Sequence, residues 1–178
     1  MPSRQAGATV WLTGLPGAGK TTIARTIAEL VGDRGEVALL DGDELRRTLC
    51  ADLGFSRHDR DEHVRRVGFV AELLTRHGVL TLVPVIAPYA RARHAVREHH
   101  RAQGSRFVEV HVATSLAECM RRDPKGLYAR ARSGQLTGLT GVDDVYERPA
   151  DPELRLDTRG VDAAAAAREV LRLLPVNV

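Results

Sequence analysis

Short apolar runs alternate with longer segments of helical periodicity along most of this chain. In the first helical segment, Ile23, Ile27 and Leu30 recur at the spacing of one helix face. Such alternation predicts an α/β fold in which a parallel five-stranded sheet is covered by helices on both faces. The predicted strands are Thr9–Thr13, Val37–Leu40, Val79–Ile86, Phe107–Val112 and Leu154–Leu156. The predicted helices are Lys20–Leu30, a short one starting near Glu44, Arg60–Arg76, Ala92–Arg101, Ser115–Arg121 and Ala163–Leu174.

The length of 178 residues fits one folding unit, so we predict a single domain over residues 1–178. The segment 123–152 departs from the alternation, because it holds four glycines and three prolines with little apolar periodicity. A segment of this kind predicts a mobile lid or substrate loop.

The composition of the chain indicates which classes of ligand and partner it is suited to bind. The net charge of +3 is too small and too scattered to indicate nucleic acid, but it suits an anionic ligand. No apolar run approaches the roughly 20 residues that cross a bilayer, and residues 1–8 lack the apolar core of a signal peptide. We therefore expect a cytoplasmic protein without a membrane partner. Cys50 and Cys119 form no CxxC pair, which favours reduced, buried thiols.

A phosphate-binding loop is the most specific motif in the sequence. The run GLPGAGKT matches GxxxxGK[ST] and stands between a predicted strand and a predicted helix, as that motif requires. Its backbone N–H groups would surround phosphate oxygens, Lys20 would bridge the β- and γ-phosphates of ATP, and Thr21 would ligate Mg²⁺. A chance glycine-rich turn is the alternative. The residues concerned are Gly14, Leu15, Pro16, Gly17, Ala18, Gly19, Lys20 and Thr21.

Other classes of P-loop protein match less well than a kinase does. A GTPase would need a guanine motif of the N/TKxD type, and neither of the two lysines, Lys20 and Lys125, lies in one. An ABC ATPase would need a signature like LSGGQ, of which Ser133-Gly134-Gln135 is only a fragment.

Two aspartates follow the second predicted strand. Asp41 and Asp43 would lie at the carboxyl edge of the sheet, where parallel α/β folds bind ligands. One carboxylate could orient metal-bound water and the other could accept the proton of an attacking hydroxyl, with Asp43 as the better candidate base. The alternative is an ordinary N-cap for the helix near Glu44. Arg46, one turn later, could face an anionic acceptor.

With these motifs in order, the sequence resembles the adenylyl-sulfate kinase (APS kinase) family from about Val10 to Thr158. The similar stretches are Gly14 to Thr22; Asp41-Gly42-Asp43 with Arg46; Leu53-Gly54-Phe55-Ser56; Asp59-Arg60; Arg65-Arg66-Val67-Gly68; Ile86, Pro88 and Tyr89; Asp123-Pro124-Lys125-Gly126-Leu127-Tyr128; and Thr140-Gly141, Asp143-Asp144, Tyr146-Glu147 and Pro149.

The resemblance implies that ATP phosphorylates the ribose 3′-hydroxyl of adenylyl sulfate to give PAPS, with Mg²⁺ as cofactor and a homodimer as the assembly. It implies that Arg46 and Arg60 hold the phosphosulfate group and that Phe55 stacks on the adenine of the acceptor. Arg122 and Lys125 would belong to the lid over the nucleotides, Arg122 on the ATP side with Thr22. The remaining acceptor-side positions are His63, Ile86, Ala87 and Leu139.

The departures from the family pattern cluster on the acceptor side. Val85, Ala87 and Ala90 stand where the family usually has phenylalanine, serine and arginine, and Leu139 stands in place of a second adenine-stacking phenylalanine. His63 replaces an asparagine, either as a hydrogen-bonding substitute or, less simply, as a catalytic group. The pair His99-His100 lies on a polar helix and is expected to be solvated.

Three hypotheses stay open at this stage. The first is an APS kinase with tolerated changes around its acceptor. The second is a related kinase for another nucleotide-like or small hydroxylated metabolite. The third is a non-catalytic nucleotide-binding subunit, against which the intact Lys20, Thr21, Asp41 and Asp43 argue.

Overall fold

The predicted strands form one parallel sheet in the computed structural model, which describes residues 7–34 and 36–174. The strand order is β2-β3-β1-β4-β5, so that β1 is central and pairs with β3 on one side and β4 on the other. This architecture confirms the predicted fold class. The strands are β1 (Ala8–Thr13), β2 (Val37–Leu39), β3 (Leu80–Pro84), β4 (Arg106–Val112) and β5 (Leu154–Leu156). The helices are α1 (Lys20–Val31), α2 (Gly42–Arg47), α3 (Arg57–Arg76), α4 (Ala90–Ala102), α5 (Leu116–Arg122), α6 (Leu127–Arg132) and α7 (Ala163–Leu171).

Side chains of β1 point alternately to the two faces of the sheet, and each face has its own apolar core. Val10 and Leu12 pack on one face among residues of α1 and α7. Trp11 packs on the other face among residues of α3 and α4. Because a central strand of a parallel sheet is buried on both faces, the consecutive apolar residues Val10, Trp11 and Leu12 follow from the position of β1.

Gly68 sets how closely α3 and α4 approach. A Cβ added at this position would lie 2.5 Å from Cγ2 of Val96, closer than any real contact. Any larger residue would therefore push α4, which begins at the acceptor-side loop, away from the sheet.

Several predicted boundaries were wrong by one to three residues. The helix predicted from Arg60 begins at Arg57, because the Ser56 hydroxyl accepts a hydrogen bond from the Asp59 amide at 3.1 Å and caps the first turn. The strand predicted to reach Ile86 ends at Pro84, and Ala87 turns the chain with a φ of 43°. The last helix ends at Leu171 rather than Leu174.

The prediction that His100 is solvated was wrong. His100 is completely buried, with Nε2 2.9 Å from Thr9 Oγ1 and Nδ1 2.8 Å from the carbonyl oxygen of Val96. His99 is only partly buried. Cys50 and Cys119 are both buried and unpaired among the described residues, as predicted. None of the helices within those residues has the length and apolar character needed to span a membrane.

Candidate active site

The phosphate-binding loop connects β1 to α1 at the carboxyl edge of the sheet. Gly14 passes so close to β4 that an added Cβ would lie 2.5 Å from the Val112 carbonyl oxygen. Gly19, which precedes α1, has a φ of 103°, a backbone conformation that residues with a Cβ rarely adopt. The two glycines thus let the loop fold tightly and leave the amino end of α1 open toward an anion.

Lys20 is held inside its own loop. Its Nζ atom donates to the carbonyl oxygens of Gly14 at 2.9 Å and Leu15 at 2.7 Å. Burial lowers the pKa of this amine to about 8. A phosphate group that displaced these carbonyls would favour the charged amine.

Asp41 is an N-cap, which was one of the two predictions for it, and it also binds a residue of the phosphate-binding loop. One carboxylate oxygen, Oδ1, accepts hydrogen bonds from the amides of Asp43 at 2.9 Å and Glu44 at 3.4 Å, and so caps α2. The other oxygen accepts from the Thr21 hydroxyl at 3.0 Å. The cap therefore fixes a carboxylate beside the hydroxyl that is the predicted metal ligand.

Asp43 is exposed and pairs with the ammonium group of Lys125, which belongs to the predicted lid. This contact brings the candidate base to the lid. Lys20 also lies near these aspartates, and the carboxylates of Asp43 and Asp41 oppose the loss of its proton.

Arg122, predicted for the ATP side, lies beside Gly19 of the loop. Its guanidinium donates to the Thr158 hydroxyl at 2.8 Å and to the Thr158 carbonyl oxygen at 3.1 Å. The hydroxyls of Thr158 and Thr114 each donate to the Ala18 carbonyl oxygen at 3.0 Å. Sequence reasoning missed both threonines, although each follows the carboxyl end of a predicted strand and so lies at the ligand edge of the sheet.

Arg46, Phe55 and Arg60 come together on the acceptor side. The guanidinium carbons of Arg46 and Arg60 lie 4.6 Å and 5.6 Å from the centroid of the Phe55 ring, which is 68% exposed. Arg60 is buried, and its guanidinium donates to Phe55, Thr140 and Gly138 at 2.6–3.0 Å. The exposed ring is available for stacking, while Arg60 mainly ties α3 to the segment 138–140.

His63 lies one turn after Arg60 on α3 and is 3% exposed. Burial, reinforced by the charge of Arg46, lowers the pKa of His63 to about 4, so the ring is neutral near pH 7. Its Nδ1 atom has no hydrogen-bond partner within the described part of the chain. A neutral ring suits the hydrogen-bonding substitute better than a general acid.

The other predicted acceptor-side positions lie in the loop after β3 and in the segment 138–140. The carbonyl oxygen of Ile86 accepts from the Thr13 hydroxyl at 2.6 Å, which fixes the loop after β3 to the end of β1. Ala87 is buried with its left-handed backbone, and Leu139 is 7% exposed. Leu139 therefore presents little surface on which a base could stack.

The segment predicted as a lid is folded over this edge of the sheet and contains α6, which the sequence did not predict. The Tyr128 hydroxyl on α6 donates to the Pro16 carbonyl oxygen at 2.8 Å. Further along the segment, the Thr140 hydroxyl and the Gly138 carbonyl oxygen accept from Arg60 at 3.0 Å and 2.6 Å. The segment thus contacts both the phosphate-binding loop and the acceptor side.

Comparison with known proteins agrees with this arrangement. A family model described as adenylylsulphate kinase matches residues 6–157. An adenylyl-sulfate kinase of Picosynechococcus sp. is 47% identical over 169 residues, which cover 94% of this chain and 93% of the relative. The solved APS kinase of Mycobacterium tuberculosis, in complex with AMPPNP and APS, is 46% identical with a TM-score of 0.91 and covers 95% of this chain and 98% of its own. A hexameric APS kinase from Thiobacillus denitrificans is 36% identical with a TM-score of 0.70 and covers 96% of this chain and 29% of its own. The chain belongs to the adenylyl-sulfate kinase family.

Proposed function

We propose that this chain transfers the γ-phosphoryl group of ATP to the ribose 3′-hydroxyl of adenylyl sulfate, which yields PAPS and ADP. The observation that carries the proposal is the position of a complete phosphate-binding loop beside Asp43 and the Arg46–Phe55–Arg60 group. Family membership and the likeness to an APS kinase solved with AMPPNP and APS support the same acceptor.

The residues around Thr21 fit Mg²⁺. A hydroxyl and a carboxylate oxygen 3.0 Å apart are hard oxygen ligands, which this ion prefers. The described residues contain no group of three or more His, Cys, Asp and Glu side chains able to hold a metal by themselves. Mg²⁺ would therefore bind mainly through nucleotide phosphates and water, with Thr21 as ligand and Asp41 or Asp43 acting through water. When bound, it would neutralise charge on the β- and γ-phosphates.

The protein's part in the reaction is positioning and electrostatic stabilisation. The loop amides and Lys20 would stabilise the charge that spreads over the γ-phosphoryl oxygens. Asp43 would orient the acceptor hydroxyl or accept its proton, once Lys125 releases the carboxylate. Closure of the lid would exclude water, and the acceptor would then be favoured over hydrolysis. Assembly as a homodimer and a cytoplasmic location stay predictions.

The test is release of ADP from ATP·Mg²⁺ with adenylyl sulfate, beside an acceptor-free control. We expect turnover that requires both adenylyl sulfate and Mg²⁺ and falls to the acceptor-free background in Lys20→Ala. Arg25→Ala, an exposed change on the same helix, should keep wild-type turnover. Near-normal turnover by Lys20→Ala would contradict the mechanism.

One observation favours an acceptor other than adenylyl sulfate. Ala90 offers no cation and Leu139 is nearly buried, so the acceptor side has lost two contacts expected of the family. Tight ATP binding without stimulation by adenylyl sulfate would point to another hydroxylated metabolite, and a screen of such acceptors would follow.

A further inference from the structure

Arg93 binds three separate parts of the acceptor side with one guanidinium group. The side chain projects from α4 and is 3% exposed. Its Nε donates to Glu109 on β4 at 3.0 Å, Nη1 donates to the Ala87 carbonyl oxygen at 2.6 Å, and Nη2 donates to the Glu147 carbonyl oxygen at 2.6 Å. All three nitrogens of the group are therefore engaged, each by a different element.

The contact at Ala87 fixes a strained turn. Ala87 has a φ of 43°, in a region that residues other than glycine rarely adopt, and it is 1% exposed. Such a conformation persists only where surrounding groups determine it. The bond from Arg93 holds the carbonyl of Ala87, and the bond from Thr13 holds that of the preceding residue, Ile86.

The contact at Glu147 joins this turn to the end of the lid segment. The Glu147 amide donates to the Pro88 carbonyl oxygen at 2.8 Å, and the Glu147 carboxylate accepts from the Ala90 amide at 2.7 Å. The Tyr89 hydroxyl lies 3.1 Å from both carboxylate oxygens of Asp144.

The connection continues to the acceptor side. Asp144 Oδ2 lies 3.5 Å from Arg60 Nε, and Arg60 also donates to the Phe55 carbonyl oxygen at 2.9 Å. Bonded groups thus run from Arg93 through the turn and the end of the lid to the exposed ring at which the acceptor is proposed to bind.

We propose that Arg93 is a positioning residue for the acceptor, holding the Ala87 turn against the 144–147 end of the lid so that the acceptor wall keeps its shape. The inference rests on the proposed function. A lysine cannot replace Arg93, because an ammonium group is a compact charge and does not present the planar fork that reaches three acceptors. Arg93 is buried away from both substrates and acts through the Ala87 turn and Glu147.

The experiment compares Arg93→Lys with Arg97→Lys. Arg97 lies one turn later on α4 and binds the same Glu109 at 3.2 Å, but its other partner is Glu153. For Arg93→Lys we expect the KM for adenylyl sulfate to rise at least about tenfold while the KM for ATP stays within about twofold. Arg97→Lys should leave both constants within about twofold. A double variant, Arg93→Gln with Glu109→Gln, removes both charges and should repeat the effect if Arg93→Lys folds poorly.

Two outcomes would overturn the proposal. One is an equal rise in the two KM values of Arg93→Lys, and the other is the same acceptor KM in the Arg93 and Arg97 variants.

If the wild-type chain does not use adenylyl sulfate at all, the proposed function fails, and hydrogen exchange then decides the positioning role. The amides of Ala90 and Glu147 should exchange at least about tenfold faster in Arg93→Lys than in Arg97→Lys; equal rates would refute the role.

Discussion

At the scale of single residues, the phosphate-binding loop supplies the hydrogen-bond acceptors for its own lysine, Lys20. The two loop carbonyls that accept from Nζ compensate a buried amine whose pKa is lowered to about 8. Binding of ATP would replace neutral carbonyl oxygens by charged phosphate oxygens. The protonated amine would then be strongly favoured, and its pKa would rise well above 8.

ATP·Mg²⁺ binding should therefore take up a proton at alkaline pH. At about pH 9 the amine of the free chain is mostly neutral and must be protonated on binding, whereas at pH 7 it is already charged. Titration calorimetry in buffers of different ionisation enthalpy should show uptake at pH 9 and much less at pH 7. Lys20→Met should lose the difference, and equal uptake by wild type at both pH values would contradict the prediction.

At this scale, the sequence could predict a feature only when the residues that determine it lie within a few positions of one another. The phosphate-binding motif and the cap at Asp41 are encoded within a few residues, so both could be proposed before the structure was known. His100 was assigned wrongly because its partner Thr9 is 91 positions away. Likewise, no local pattern indicates that Arg60 donates to groups 78 and 80 positions away.

At the scale of elements, α6 depends on tertiary and side-chain contacts more than on its own periodicity. It has six residues and begins after Gly126, whose φ is 65°. The Asp123 carboxylate accepts from the amides of Tyr128 and Ala129 at 3.1 Å and 2.9 Å, which satisfies the first turn. A helix this short gives too few positions for a periodic pattern, so the sequence predicted only a loop.

Tyr128→Phe should weaken ATP binding. The phenol donates to Pro16 inside the phosphate-binding loop, and burial raises its pKa, so it stays protonated at every working pH. A net hydrogen bond of about 1 kcal/mol corresponds to a roughly two- to tenfold rise in the Kd for ATP·Mg²⁺. Tyr89→Phe is the matched control, since its hydroxyl binds Asp144 on the acceptor side. Unchanged ATP affinity in Tyr128→Phe would contradict the role of this contact.

At the scale of the whole molecule, buried histidines make the fold sensitive to acid. Burial lowers the pKa values of His63 on α3 and His111 on β4 to about 4, and it also lowers the pKa of His100. In the unfolded chain these rings take up protons below about pH 6.5. Because the unfolded state binds more protons between about pH 4 and 6.5, the stability of the fold declines as the pH falls through that range.

The free energy of unfolding should therefore drop between pH 7.5 and pH 5. At pH 5 the two rings with a pKa of about 4 should each cost about 2 kcal/mol of stability relative to neutral pH. Urea unfolding at several pH values would measure the slope. His111→Asn should flatten it, and His94→Gln, at an exposed position, should not. A slope that is the same in all three proteins would exclude this cause.

The same unfolding curves test the predicted single domain, for which one cooperative transition is expected. The sequence predicted all five strands and their parallel arrangement, since apolar runs and helical periodicity are visible within each short segment and their alternation favours a parallel sheet. It could not predict the strand order or which helices share a face, because those depend on contacts between distant segments.

The turn after β3 has a consequence for how acceptor choice can change over evolution. Its path is fixed through main-chain groups: the carbonyls of Ile86, Ala87 and Pro88 and the amide of Ala90 all bind partners outside the turn. None of these bonds uses a side chain of the turn itself. Substitution of Ala90, an exposed residue of the turn, can therefore occur without redirecting the backbone, whereas Ala87 is buried at a φ of 43° that few residues adopt. A library at residue 90 would vary the acceptor side on an unchanged scaffold.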